Sequence, residues 1–224
     1  MDQSLRVIVE IGPKGQKVAA VAIDWPGLER GAKTADSAIE RLKSYLPRYA
    51  QIAKLAGMET SFAAINTVEI VEEYLGTGST DFWGISFAFS SIDRQNVSIE
   101  ALERELTLMQ ACWSFFDQVR LRVSAEMRKG PRGGGRDRDQ IVRHTLAVEQ
   151  DWATKLGLHI LDSANVTEET LKAHRTAYCE TIRSFHAENK LAKTWPLRYL
   201  IRHTAYHTLD HAWEMEDKDL TNAS

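Results

Sequence analysis

Three histidines near the end of the sequence, His203, His207 and His211, are spaced four residues apart in a run that opens on Trp195-Pro196 and closes on acidic residues to Asp217. On a helix each four-residue step drifts only ~40° around the axis, so the three rings share one face. At about 1.5 Å of rise per residue, His203 and His211 stand roughly 12 Å apart, too far to share one ion with bonds near 2 Å. An adjacent pair can chelate, and His207 belongs to either pair. A third ligand has to come from another helix. Three neutral imidazoles leave at least one coordination position open, whereas sealed structural zinc sites take four protein ligands. An open position accommodates a water, whose pKa the ion lowers, or a substrate thiolate. The expected cofactor is a divalent metal, with Zn, Ni or Fe suited to imidazole.

The remaining histidines are His144, His159, His174 and His186. His144 has Ile141, Thr145, Val148 and Trp152 at helical spacing around it, which predicts that it points into a helix core opposite the His-x-x-x-His pair. A shared ion would satisfy all three rings, since buried imidazoles need partners. Asp210, Glu214 and Glu149 are candidates for orienting ring N–H groups, and His203 is expected beside the ligands. Arg128, Lys129, Arg132, Arg136 and Arg138, around a glycine-rich loop, offer positive charge to an anionic substrate. No phosphate-binding glycine loop, nucleophile elbow or paired-carboxylate motif competes with the histidines.

The elements that must hold these residues follow from periodicity. Arg6 to Ile11 and Lys17 to Asp24 are β-branched runs joined by Gly12-Pro-Lys-Gly15, a predicted hairpin. Thr34 caps a predicted helix through Leu46, with Pro47 kinking or restarting it. Val68 to Leu75 and Phe82 to Phe89 alternate about Gly76-Thr-Gly-Ser79, a second predicted hairpin. The fold class expected is therefore α+β, an antiparallel β-β-α-β-β sheet followed by four helices. Helical periodicity takes over near Gln95, which predicts domains at residues 1–95 and 96–224. The helices are expected from Ser98 to about Lys129, from Asp137 or Asp139 to about Leu156, from Asn165 to before Asn189, and from Trp195-Pro196 onward. Short links with one glycine-rich crossover suit a four-helix bundle.

Composition excludes little else. The 224 residues carry a net charge of -3 with basic residues spread among acidic ones, so no nucleic-acid partner is expected. Cys112 and Cys179 fit no metal or redox spacing and read as buried apolar fillers in a reducing compartment. Without an apolar signal core or an 18-residue apolar span, a cytoplasmic protein with no membrane partner is expected.

Two stretches resemble known families. Ala22-Ile-Asp-Trp-Pro-Gly-Leu-Glu-Arg-Gly-Ala-Lys-Thr34, leading into an acidic and alanine-rich helix, resembles HicB-type small α/β domains. The family's DNA-binding segment has no counterpart here, so the likeness implies a small interaction domain that recruits a partner. His144 followed by Glu149 and Trp152, with His207 and His211 before the acidic end of the last helix, resembles the DinB family of four-helix metalloproteins. That likeness covers roughly the last 125 residues. It implies His144, His207 and His211 as the ligands, with His203 beside them and not bound to the ion. It also implies a thiol or group transferase acting on a low-molecular-weight thiol, with a metal-dependent hydrolase or a non-catalytic binding protein as alternatives. A homodimer is among the expected assemblies.

Overall fold

The computed structural model of the chain describes residues 3–131, 133–159 and 166–221. Over these the protein is α+β, a four-stranded mixed sheet with eight α-helices. β1 (Gln3–Ile11) and β2 (Val18–Ala22) form the first hairpin, antiparallel, with Val7 opposite Ala22 and Ile11 opposite Val18. The Asp81 carboxylate closes its turn by accepting the N–H groups of Lys14 and Gln16 at 2.7 and 2.8 Å. The Pro26-Gly27 turn then returns the chain as β3 (Glu29–Ala32), antiparallel to β2. Gly27 has φ +97°, and a Cβ there would stand 3.1 Å from Cys112 Sγ and 3.2 Å from Leu209. Only glycine lets this turn lie so close against the later helices.

Thr34 caps α1 (Ala35–Ser44) by accepting the Ser37 N–H. Pro47 stands in the first turn of a separate α2 (Leu46–Leu55), where its missing N–H has no helical partner to lose. After α3 (Glu59–Ala63), β4 (Ile65–Leu75) pairs parallel with β1, giving the order β3-β2-β1-β4. A parallel return needs a long crossover, and the helices between β3 and β4 supply it.

The sheet thus departs from the expected β-β-α-β-β pattern. It gains β3, β4 is parallel, and Phe82 to Phe89 is not a strand. Thr77 and Thr80 form a capping box that starts α4 (Gly78–Trp83), which Gly84 ends at φ +71°. The alternation beyond it is real: Ser86 is buried while Ile85 and Phe87 are partly exposed. Its N–H groups go to carboxylates instead of a neighbouring strand. Ser86 donates to Glu29, and Phe87 and Ala88 donate to Glu10.

α5 (Ile99–Arg122), α6 (Arg138–Ala153), α7 (Glu168–Ala187) and α8 (Leu197–Lys218) make up the rest. α5 stops short of the expected Lys129 because Val123 turns extended and Ser124 donates its N–H to Asp219 at 2.9 Å. Asp137 opens α6 with a capping box, and a 3-10 turn at Thr154–Leu156 extends it to the expected end. Thr167 caps α7, while the expected start at Asn165 lies outside the described residues. α8 is buried on most of its surface and packs against both α5 and α6. Tyr178 on α7 meets Thr204 on α8 through their hydroxyls at 3.1 Å.

One cluster of buried apolar side chains runs from Leu5, Val7 and Trp25 through Tyr49 and Ile52 to Leu106, Phe116, Leu209 and Trp213. Residues on both sides of Gln95 therefore share a core. The Arg30 guanidinium lies 3.6 Å from the Tyr45 ring and 4.5 Å from that of Trp213, joining α8 to the sheet side. Cys112 and Cys179 are free and buried, as apolar fillers should be. No described helix is long and apolar enough to cross a membrane.

Candidate metal centre

α6 and α8 bring ring nitrogens of His144, His207 and His211 within 4.8 Å of one another. His207 and His211 are one turn apart on α8, with ring centroids at 4.5 Å, and His144 faces both from α6 at 5.2 and 5.0 Å. His144 Nε2 and His207 Nε2 stand 3.3 Å apart. Two ligand nitrogens at 2.0–2.1 Å from one tetrahedral ion would be about 3.3–3.4 Å apart. Two bare lone pairs at that distance repel, so either a proton or a cation belongs between them.

His144 does not point into a helix core as its neighbours suggested. The buried stripe of α6 is Ile141, Thr145 and Glu149, and His144 lies on its exposed flank. It stands at the edge of a cleft of about 710 Å³ that His203, His207, His211, Trp152 and Glu214 also line. Burial, and then the neighbouring His211 and Arg136, push the His144 ring below its ordinary pKa. The same causes are stronger at His207, where burial followed by His211 and His144 lowers it to about 2. Both rings therefore present lone pairs at neutral pH.

The acidic residues separate by position. Glu214 Oε2 accepts from His211 Nδ1 at 2.7 Å, which leaves His211 Nε2 free for an ion. Burial raises the Glu214 carboxyl, but hydrogen bonds from His211 and Lys218 outweigh it and hold the pKa at about 2. Glu149, expected to help orient a ring, does not reach one. It is 2% exposed, and its two oxygens accept from Arg175 Nε and Nη2 at 2.9 and 3.0 Å. It follows the buried stripe of α6, four residues beyond Thr145, away from His144. Asp210 lines the cleft but pairs with Arg30 at 3.2 Å instead of a histidine.

His203 lies apart from the three-ring group, one turn before His207. It is stacked on Tyr199 at 5.0 Å and lies 4.8 Å from Trp152 and 5.6 Å from Phe87. Burial, reinforced by Arg202, lowers its pKa to about 3. Of the basic run, Arg136 lines the cleft and reaches Glu214 at 3.3 Å, while Lys129 and Arg138 pair with Asp137 and Asp139. Arg132 lies outside the described residues.

Comparison of the chain with family models, curated proteins and solved structures gave no match. The site's chemistry rests on its own geometry. Its donor set, three imidazoles with one carboxylate behind them, fits a divalent ion with an open side toward the cleft.

Sequence reading missed the opposite wall of that cleft, formed by Trp83, Ile85 and Phe87. The only signal was the alternation from Phe82 to Phe89, which pointed to a strand. Tyr206 also lines the cleft, and its place between histidines on a helix buried nearly all round carries no separate signal.

Proposed function

We propose that this protein is a three-histidine metalloprotein of the DinB-like kind. In this reading α5 to α8 form its four-helix bundle, and it acts as a metal-dependent group transferase on a low-molecular-weight thiol. The observation that carries the reading is the convergence of His144, His207 and His211 at the edge of a cleft large enough for a small molecule. His144 and His207 hold the ion through neutral rings. His211 joins through Nε2, because its Nδ1–H donates to Glu214. When bound, the ion supplies a Lewis-acid position that lowers the pKa of a thiol entering the cleft. Arg136, on the cleft wall, attracts an anionic substrate and brings it toward the histidines.

The test is elemental analysis of the protein loaded with Zn²⁺, Ni²⁺ or Fe²⁺, on wild type and three alanine variants. His207→Ala and His211→Ala lose stoichiometric metal, and His203→Ala keeps it. If His203→Ala loses the ion while His211→Ala retains it, the chelating pair is the other one. If none of the variants changes metal content, the cluster is not a metal site. Loaded protein is then assayed with a panel of thiols and electrophiles, where thiol-dependent turnover supports the transferase. Turnover without thiol points to hydrolysis, and no turnover to a binding role.

A further inference from the structure

The cleft has a second side that the histidines do not use. Trp83 at the end of α4, and Ile85 and Phe87 from the segment that follows it, line the cleft together with Trp152 of α6. Trp83 is 61% exposed, so it stands at the mouth, while Ile85 and Phe87 are partly covered. His203 lies beside Phe87 and Trp152. It is 4% exposed, it lines the cleft, and its Nδ1 is enclosed without a hydrogen-bond partner. An enclosed N–H left unpaired is rarer than an enclosed acceptor left unpaired, so the proton of the neutral ring belongs on Nε2. That N–H is a donor set among the aromatic rings of Phe87, Trp152 and Tyr199.

We infer that the cleft binds a small molecule with a flat apolar body bearing a carbonyl-type acceptor. Trp83, Phe87 and Trp152 clasp the body, and His203 Nε2–H donates to the acceptor. The inference rests on the cleft being the substrate site of the function proposed above, and it adds the substrate class. It also gives the N-terminal part a role. The segment after α4 supplies a wall that selects what lies beside the ion. The cleft's volume of about 710 Å³ is in the range of small-molecule sites. Flat rings suit its walls because aromatic side chains prefer edge and offset contacts at 4.5–7 Å. Recognition of the body needs no ion, so it is measured separately from metal binding.

The probe is coumarin, a flat bicycle with a carbonyl acceptor, compared with naphthalene, which has the same shape and no acceptor. Ligand-detected NMR titration of metal-free wild type is expected to give a coumarin Kd on the order of 0.1–1 mM, as ligands of this size allow. Naphthalene should bind three- to tenfold more weakly, the worth of one net hydrogen bond. Trp83→Ala, at a position 61% exposed, should weaken both probes about tenfold. His203→Phe should abolish the preference for coumarin, and His203→Gln, which keeps a donor, should restore it. A merely structural His203 would leave that preference unmoved. The titration uses metal-free wild type, so its outcome does not depend on whether the three rings hold an ion, and the two readings fail separately. No coumarin binding below about 5 mM, or equal affinity for the two probes in wild type, overturns the inference. So does a Trp83→Ala variant that binds like wild type.

Discussion

Replacing Glu214 with Gln changes one atom in the carboxyl group that orients His211. The carboxylate has two acceptor oxygens, and both are occupied: Oε2 accepts from His211 Nδ1 at 2.7 Å and Oε1 from Lys218 at 2.5 Å. An amide offers one acceptor and one donor, so it cannot serve both. Keeping the oxygen toward the Lys218 ammonium turns the NH₂ toward His211 Nδ1. That nitrogen must then accept, which moves the ring proton to Nε2 and blocks the lone pair meant for the ion. Turning the amide the other way keeps the tautomer but removes the negative charge and leaves Lys218 facing a donor. Either way metal affinity should fall 10- to 100-fold, on the order of 1.4–2.7 kcal/mol. Stability of the metal-free protein should fall as well, because the bonds from His211 and Lys218 that hold the carboxyl at about 2 favour the fold at neutral pH and the amide keeps only one of them. Competition against a chromophoric chelator reads the affinity, and urea unfolding of metal-free protein reads the stability. Glu149→Gln is the counter-test. Its carboxylate is enclosed against Arg175, whose other partner is Asp117 at 2.7 Å. Breaking that pairing should cost about 3–5 kcal/mol of stability and leave metal affinity alone. Wild-type metal affinity in Glu214→Gln would refute the reasoning, as would a loss of affinity in Glu149→Gln equal to that in Glu214→Gln.

Metal-free protein should lose stability as pH falls below 6.5. His203, neutral in the fold down to about pH 3, takes a proton only on unfolding, at about 1.4 kcal/mol per pH unit. Urea midpoints at pH 7, 6 and 5 should therefore fall less steeply in His203→Phe, with His207, lowered to about 2, supplying the slope that remains. Glu29 works in the opposite sense. Burial raises its carboxyl to about 8 despite Arg202, so from pH 4.5 to 8 the fold keeps a proton that the unfolded chain releases. Stability falls as pH rises through that window, and Glu29→Gln should show a shallower slope between pH 6 and 8. Gly31→Ala would put a Cβ 1.9 Å from the Gly84 carbonyl oxygen, whereas Gly78→Ala meets nothing within 4 Å. Thermal denaturation should show at least about 1–3 kcal/mol lost in the first and little in the second.

The sequence made the local elements legible where a local signal determines them. Thr34 and Asp137 cap helices, Pro196 opens α8, and the first hairpin pairs as its turn residues indicate. The candidate cluster was legible for the same reason. Four-residue spacing on one helix is a local fact, and only the partner ring had to be chosen. What depends on distant partners was hidden. Glu29 to Ala32 forms a strand because the Pro26-Gly27 turn folds it onto β2, although Glu29, Arg30 and Gly31 are poor strand formers. Phe82 to Phe89 alternates like a strand, yet buried carboxylates take the N–H groups that a neighbouring strand would take. Glu149 and Glu214 looked equivalent beside their histidines. Only the packing of α7 against α6, through Arg175, distinguishes them.

The buried charges between the sheet and α8 explain how one wall of the cleft is held. Glu10, Glu29, Asp93 and Arg202 are each at most 2% exposed. Groups of this kind are strongly destabilising inside a fold unless their hydrogen-bonding capacity is filled. Asp93 takes two bonds from Arg202 at 2.8 Å. Glu10 accepts from the hydroxyls of Tyr74, Ser86 and Thr80 and from the N–H groups of Phe87 and Ala88. Glu29 has one oxygen on the Ser86 N–H and the other without a hydrogen-bond partner, and it is the carboxyl that burial drives toward the neutral form. Apart from the hydroxyls of Tyr74 on β4 and Thr80 in α4, the donors in this network come from the segment after α4 or from α8. Removing the segment would leave the carboxylates of Glu10 and Glu29 short of donors, so their burial and the segment's position depend on each other. Ile85 and Phe87 alternate with Ser86 along that segment. The bonds that draw Ser86 inward therefore turn its neighbours toward the cleft. The same α8 carries Arg202, which fastens the segment, and His207 and His211, which face His144. A change that loosens the network should thus reshape the cleft wall before it disturbs the three rings.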